Sequence, residues 1–258
     1  MARVHPSAVI DPAAKIANDV DIGPFVVIGP DVELAPGVEV RSHAIITGLT
    51  KVGEKTKVFS NTILGEQPQD KSFSGQETQL IIGQSNVIRE NVVIHVGTPA
   101  GGGCTRVGDD NFIMNGAHVG HDTQIGSHVI VASQTAIAGH VVIEDYAVLG
   151  AFCGVHQFAR VGESAMVAGM AGVTKDAPPF SLVSGHRARL SGINSVGIRR
   201  RGFSPKSRKA IKRAFHLLFN SKLRLKPAIA RVREELQGVS EVARLIDFIE
   251  NSQRGISR

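Results

Sequence analysis

The sequence predicts an all-β solenoid of hexapeptide repeats followed by a small α-helical C-terminal domain. Three observations predict it. Aliphatic residues recur at every sixth position through most of the chain, the recurrence stops near residue 190, and the charge changes sign soon after.

The period begins at Ile10 and passes through Ile16, Ile22, Ile28, Leu34, Val40, Ile46, Val52 and Val58 to Leu64 without a miss. It lapses in GEQPQDKSFSGQETQ (65–79), returns at Ile82, Ile88 and Ile94, and lapses again in VGTPAGGGCTR (96–106). From Val107 it runs in steps of six to Val173, twelve positions in succession. Neither the 3.6-residue period of a helix nor the two-residue alternation of a strand produces a strict six. A solenoid does: each hexad is one short strand and a turn, and three hexads close a coil of 18 residues. The aliphatic points inward, and each contributes roughly 1.5–3 kcal/mol when buried. Coils stack because none is stable alone. Glycine often follows the aliphatic, as at Gly23, Gly53 and Gly108, where close backbone approach favours it. Residues 1–190 are therefore read as the solenoid, with loop insertions at 65–79 and 96–106.

Residues 191–258 are read as the helical domain. Ser204-Pro205 has the form of an N-cap followed by proline at the first helical position. Ile211, Ala214, Phe215 and Leu218 then make an apolar helical stripe. Two more helices are expected near 227–237 and 240–252. Residues 1–198 carry 13 basic against 18 acidic side chains, a net of −5, whereas residues 199–258 carry 16 against 5, a net of +11. The two parts should meet different partners.

Several classes are disfavoured. Cys104 and Cys153 form no disulfide framework or metal signature, as expected in a reducing compartment. No apolar run reaches the roughly 18 residues of a membrane span, and the N-terminal stretch lacks a signal-peptide core. A cytoplasmic protein without stable membrane insertion is expected. The basic tail shows no recognised nucleic-acid motif, so no nucleic-acid partner is expected.

Coils of 18 residues place residues i, i+18 and i+36 one above another, about 4.8 Å apart. His121 then lies below Gly139, which lies below Gln157, and Asp122 lies below His140. His118, His121, Asp122, Gly139, His140, His156 and Gln157 converge on one edge. Single histidines such as His5, His43 and His128 are read as surface groups, but a column of four points to chemistry. Histidine can take a proton from a hydroxyl near neutral pH. An adjacent carboxylate can hold one tautomer, and a glycine N–H can stabilise an oxyanion. Base, orienting acid and oxyanion donor together point to acyl transfer to an alcohol. The histidine spacing does not match the His-x4-His ligand pattern of zinc-bearing hexapeptide solenoids, so no metal site is expected.

The stretches GEQPQDKSF (65–73), IRENVVIHVGT (88–98), GAHVGHD (116–122), AGHVVIEDYAVLG (138–150), GVHQF (154–158) and RRRGFS (199–204) occur in this order. Together they resemble the UDP-N-acetylglucosamine acyltransferase family of lipid A biosynthesis, over essentially the whole chain. The resemblance implies a left-handed parallel β-helix, against the usual right-handed crossover rule, assembled as a homotrimer with sites between subunits. It implies transfer of an (R)-3-hydroxyacyl group from acyl carrier protein to the 3-hydroxyl of UDP-N-acetylglucosamine, without a cofactor. His121 would be the general base, Asp122 its orienting partner and the Gly139 amide the oxyanion donor. His118, His140, His156 and Gln157 would line the sugar and acyl pocket, and Gln69 and Asp70 would contact the sugar nucleotide. Asn194, Arg200 and Arg201 would lie near nucleotide or carrier phosphates. Met166 and Gly169 match the far end of the acyl groove, where glycine would leave room for a longer chain. An acidic carrier protein would be steered by the basic tail.

Some positions depart from the family pattern. Lys71-Ser72 stand where Leu-Lys is usual, Arg187 stands where histidine is common, and an acidic residue common near Val196 is missing. These leave open an amino-sugar acceptor, with nitrogen in place of the 3-oxygen. The related N-acyltransferase of the pathway usually carries an extra N-terminal domain, for which hexads starting at Ile10 leave no room. A non-catalytic solenoid scaffold is the remaining alternative.

Overall fold

The computed structural model describes residues 2–258. Short parallel strands form three sheets that are the three sides of one coil. The first sheet begins with Arg3–Val4, the second with Val9–Ile10 and the third with Lys15–Ile16, and each later coil adds one strand to each side. Pairing follows the 18-residue step: His118 pairs with Ala136, Gln124 with Val142 and Ile130 with Val148.

The hexad aliphatics are the core. Ile22, Ile46, Ile94, Val119, Ile137 and Val161 are among its fully buried members. A second inward position, two residues before each aliphatic, was not part of the sequence reading. It holds small or polar residues such as Val20, Ala44, Thr56, Thr62, Asn86, Asn111 and Ala147. The polar ones satisfy turn backbone from inside. The Thr56 hydroxyl donates to the Gly83 carbonyl (3.0 Å), and the Asn86 amide donates to the carbonyls of Gly83 (2.9 Å) and Gly108 (2.8 Å).

From Gly37 onward most corners are turned by a residue with positive φ, and most of these residues are not glycine. Asp122, His140 and Phe158 (φ 61°, 59° and 65°) follow one corner at 18-residue steps. His128, Tyr146 and Ser164 follow the second, and Gln134, Phe152 and Met170 the third. A left-handed conformation costs an L-residue roughly 1–2 kcal/mol. Inter-coil hydrogen bonds at the same residues offset it, as in His140 N–H to the His121 carbonyl (2.9 Å) and Tyr146 N–H to the Ser127 carbonyl (2.9 Å).

The two insertions differ in how they treat the frame. Val52 pairs with Ile82, 30 positions on, so the first loop adds 12 residues, the length of two hexads. The six-residue frame survives it while the 18-residue frame does not. Val93 pairs with His118, 25 positions on, so the second loop adds seven and breaks both.

The solenoid ends in a hairpin. Ser181–Ser184 continues the first sheet in parallel and Arg189–Ile193 returns antiparallel, running across residue 190. Helices α1 (Ser195–Arg200), α2 (Pro205–Phe215), α3 (Leu225–Glu235) and α4 (Ser240–Glu250) follow, with a wider helical turn, His216–Asn220, after α2. Ser204 caps α2, accepting from the Ser207 N–H (3.0 Å). Ile211, Ala214, Phe215 and Leu218 are all buried, in a second core that Phe180 joins from the last coil. No helix among the described residues is long and apolar enough to cross a membrane.

Candidate active site

One corner, between the second and third sheets, collects the histidines. His121 opens the turn after strand His118–Val119, and the 18-residue step sets Gly139 above it. A Cβ added to Gly139 would lie 2.7 Å from both Cε1 and Nε2 of His121, so the imidazole lies directly against the glycine backbone. Among the described residues, no hydrogen bond within the chain takes the Gly139 N–H. Gly139 thus presents an unused donor beside a ring nitrogen.

Asp122 is held from three directions. Its Oδ1 accepts from the Thr98 N–H (2.8 Å), and its Oδ2 accepts from the Thr98 hydroxyl (2.6 Å) and lies 2.8 Å from His121 Nδ1. Its own N–H donates to the Thr105 hydroxyl (2.8 Å). Thr98 opens the short 3-10 turn Pro99–Gly101 within the second insertion, so this loop serves to clamp the carboxylate. The side chain of Asp122 is 1% exposed, and a buried carboxylate with these partners only accepts. Nδ1 of His121 therefore carries the proton, and Nε2 is left as the free lone pair facing Gly139.

His140 completes the group. Its Nε2 lies 3.7 Å from Asp122 Oδ2, and its ring meets that of His121 edge-on, with centroids 5.0 Å apart. Its other face stacks on Phe158. The ligand atoms of His121, Asp122 and His140 lie within 4.8 Å of one another, close enough to share a metal ion. Asp122 Oδ2 is, however, already engaged by Thr98 and His121. Burial, and then the neighbouring His95 and His121, lower the pKa of His118 from its ordinary 6.5.

A cavity of about 570 Å³ opens at this corner, lined by Gln69, His118, His121, Gly139, His156 and Gln157 together with His95. Asp70 lies in the first insertion, and its Oδ1 accepts from both the N–H and the hydroxyl of Ser72 (2.9 Å each). These bonds, with smaller contributions from His121 and His140, lower its carboxyl pKa. Ser72 thus orients Asp70.

The remaining expected residues stand elsewhere on the same chain. Met166 lies on the first sheet, and Gly169 turns the corner between the first and second. Asn194 caps α1 and donates to the Ser164 carbonyl (2.9 Å). Arg200 is exposed. Arg201 is not free: its guanidinium pairs with Glu163, donates to the Ser164 hydroxyl (2.7 Å) and stacks on Tyr146 at 3.7 Å. The sequence reading missed Thr98, Thr105, Glu163 and His95. His95 had a signal in the stretch IRENVVIHVGT; the loop contacts of Thr98 had none.

Comparison with known proteins identifies the family of this fold. Residues 176–257 match the family model described as UDP N-acetylglucosamine O-acyltransferase, domain 2. Residues 104–139 match the bacterial transferase hexapeptide model of six repeats, and residues 4–100 match a model described as the GMPPB C-terminal domain. The acyl-[acyl-carrier-protein]–UDP-N-acetylglucosamine O-acyltransferase of Myxococcus xanthus is 49% identical over 258 residues, covering 100% of both chains. That of Xanthomonas campestris is 48% identical over 99% of this chain and 97% of its own. The solved structure of LpxA from Acinetobacter baumannii superposes with a TM-score of 0.96 at 39% identity, covering 99% of each chain. The winding is that of the left-handed β-helix of these enzymes. On sequence over its full length and on fold alike, the chain belongs to the family of acyl-[acyl-carrier-protein]–UDP-N-acetylglucosamine O-acyltransferases.

Proposed function

We propose that the chain transfers an (R)-3-hydroxyacyl group from acyl carrier protein to the 3-hydroxyl of UDP-N-acetylglucosamine, the first step of lipid A biosynthesis. The observation that carries this is the His121 Nε2 lone pair set against the unused Gly139 N–H. His121 Nε2 takes the proton from the sugar hydroxyl as its oxygen attacks the thioester carbonyl. A bond forms between that oxygen and the acyl carbon, and the Gly139 N–H stabilises the negative charge on the carbonyl oxygen. Asp122 stabilises the imidazolium through Nδ1. Collapse breaks the carbon–sulfur bond, and His121 returns the proton to the leaving thiolate.

The outer faces support assembly as a homotrimer. The third sheet presents Lys15, Glu33, Lys51, Arg106 and Arg160 outward, whereas the second presents Val9, Val27, Ile45, Ile63 and Val93. The upper first sheet adds Phe112, Ile130, Val148 and Met166. Apolar faces meeting in a homotrimer would bring Met166, Gly169, Asn194 and Arg200 of one subunit toward His121 of the next. In that arrangement Gly169 leaves room for a longer acyl chain. The basic tail would guide the acidic carrier. Two free, buried cysteines suit a reducing cytoplasm.

The test incubates the protein with 3-hydroxyacyl carrier protein and UDP-N-acetylglucosamine, with the 3-amino sugar nucleotide in parallel, and reads products by mass spectrometry. Acylated UDP-N-acetylglucosamine is expected, from a species that scatters light as three chains. Acylation of the amino sugar alone would replace the acceptor, and no product with either would remove the enzymatic reading. Gly139→Ala provides a sharper check on the geometry. Gly139 does not have positive φ, so alanine fits its backbone, but the new Cβ would displace the imidazole. Turnover should fall by about 10²-fold or more with the melting temperature nearly unchanged; near-normal initial rates would separate His121 and Gly139 from the chemistry.

A further inference from the structure

We infer that His95 is a positioning residue with two working ends: one nitrogen holds the first insertion loop in place, and the other accepts a hydrogen bond from the bound sugar nucleotide. The second end rests on the function proposed above; the first does not.

His95 closes strand Val93–His95 at a bulge, where Leu64 pairs with Ile94 and Glu66 with His95, leaving Gly65 unpaired. The residue is 5% exposed. Its Nδ1 lies 2.7 Å from the carbonyl oxygen of Gln67. A carbonyl only accepts, so Nδ1 must carry a proton, and in the neutral ring Nε2 is then an acceptor. That Nε2 is buried and has no hydrogen-bond partner among the described residues. Buried polar atoms are ordinarily satisfied, and an orphan of this kind calls for a reason. The reason is in its position. His95 lines the cavity of Gln69, His118 and His121. His118 does not satisfy it: the two rings are tilted, with centroids 5.2 Å apart, and no hydrogen bond joins them.

The Gln67 carbonyl gives the other half of the argument. Gln67 lies two residues before Gln69 and three before Asp70, in the loop that supplies both to the site. The same ring thus fixes the loop that carries the sugar-contacting residues and offers an acceptor into the space where the sugar would sit. An O–H or N–H of the acceptor substrate is the matching donor. The bound thioester has neither at its reacting carbonyl.

Side-chain amides separate the two ends. His95→Asn puts an amide donor near the position of Nδ1 and deletes Nε2. His95→Phe keeps the ring and deletes both. The KM for UDP-N-acetylglucosamine should rise about tenfold in the Asn variant, the loss of one hydrogen bond to a buried group, while kcat and the KM for acyl carrier protein change less than threefold. Amide exchange across residues 66–72 should stay at wild-type rates in Asn and quicken in Phe. An Asn variant with unchanged KM, or one affecting only the carrier, overturns the acceptor role. Unchanged loop exchange in Phe overturns the loop role. Calorimetric titration with UDP-N-acetylglucosamine keeps the readouts distinct. A wild-type protein that binds no sugar nucleotide refutes both the proposed function and the acceptor end, while wild-type binding without turnover refutes the function alone and leaves the His95 comparison to be read from affinity.

Discussion

His121→Ala should lower turnover by about 10³–10⁴-fold while the fold persists. The magnitude is that of losing a positioned general base, with binding and the oxyanion donor retained. The fold should persist because the side chain makes one hydrogen bond among the described residues, to Asp122, and packs mainly against Gly139 and His140 at the rim of the cavity. Initial rates of product formation, read beside a thermal melt, check this. A variant within tenfold of wild type would transfer the base to another histidine of the corner. His121 is preferable to Asp122 for this purpose. Asp122 also anchors the Thr98 loop through two bonds, so its removal would disturb structure and chemistry together.

Glu163→Ala should destabilise the C-terminal helices by about 3 kcal/mol, the usual cost of removing one partner from a buried ion pair. Glu163 turns the corner below the last coil, and its carboxylate, 6% exposed, takes Arg201 with one oxygen and Arg244 with the other. Arg201 follows α1 and Arg244 lies on α4, so one side chain ties two helices to the solenoid. Arg244 is 59% exposed and can rehydrate, which places most of the loss on Arg201. The melting transition should fall by roughly 5–10 °C. Hydrogen exchange should quicken first in residues 195–250. Glu163→Gln, which keeps one acceptor for Arg201, should recover part of the loss. A melt unchanged in the Ala variant would show that packing of Phe180 against the helical core holds the junction without the ion pairs.

The solenoid was legible because one physical requirement repeats: every hexad must bury an aliphatic, and a miss in any coil would leave a void. The histidine corner was legible for the same reason, since a fixed step of 18 converts sequence distance into neighbourhood. What escaped was whatever the repeat does not index. The left-handed corners are turned by Phe, His, Asn, Asp, Tyr, Gln and Met, residues with no shared composition to reveal them. Thr98 reaches Asp122 only because a seven-residue insertion folds back, and the period carries no information about an insertion's path. The same insertion moves His95 out of the column that counting by 18 gives. His95 stacks 25 rather than 18 residues before Gly120, and counting by 18 aims it at the wrong residue. Arg201 looked like a free cation because basic residues surround it, and its partner Glu163 lies 38 positions away on another element.

The closed coil also restricts how such a chain can vary in length. Removing or adding a full circuit would lift the histidine edge along the axis and leave it facing the same way. Removing a third of a circuit would rotate everything beyond the cut onto a different side, carrying the imidazoles with it. Growth in this architecture is therefore quantised, and the unit is the revolution rather than the repeat.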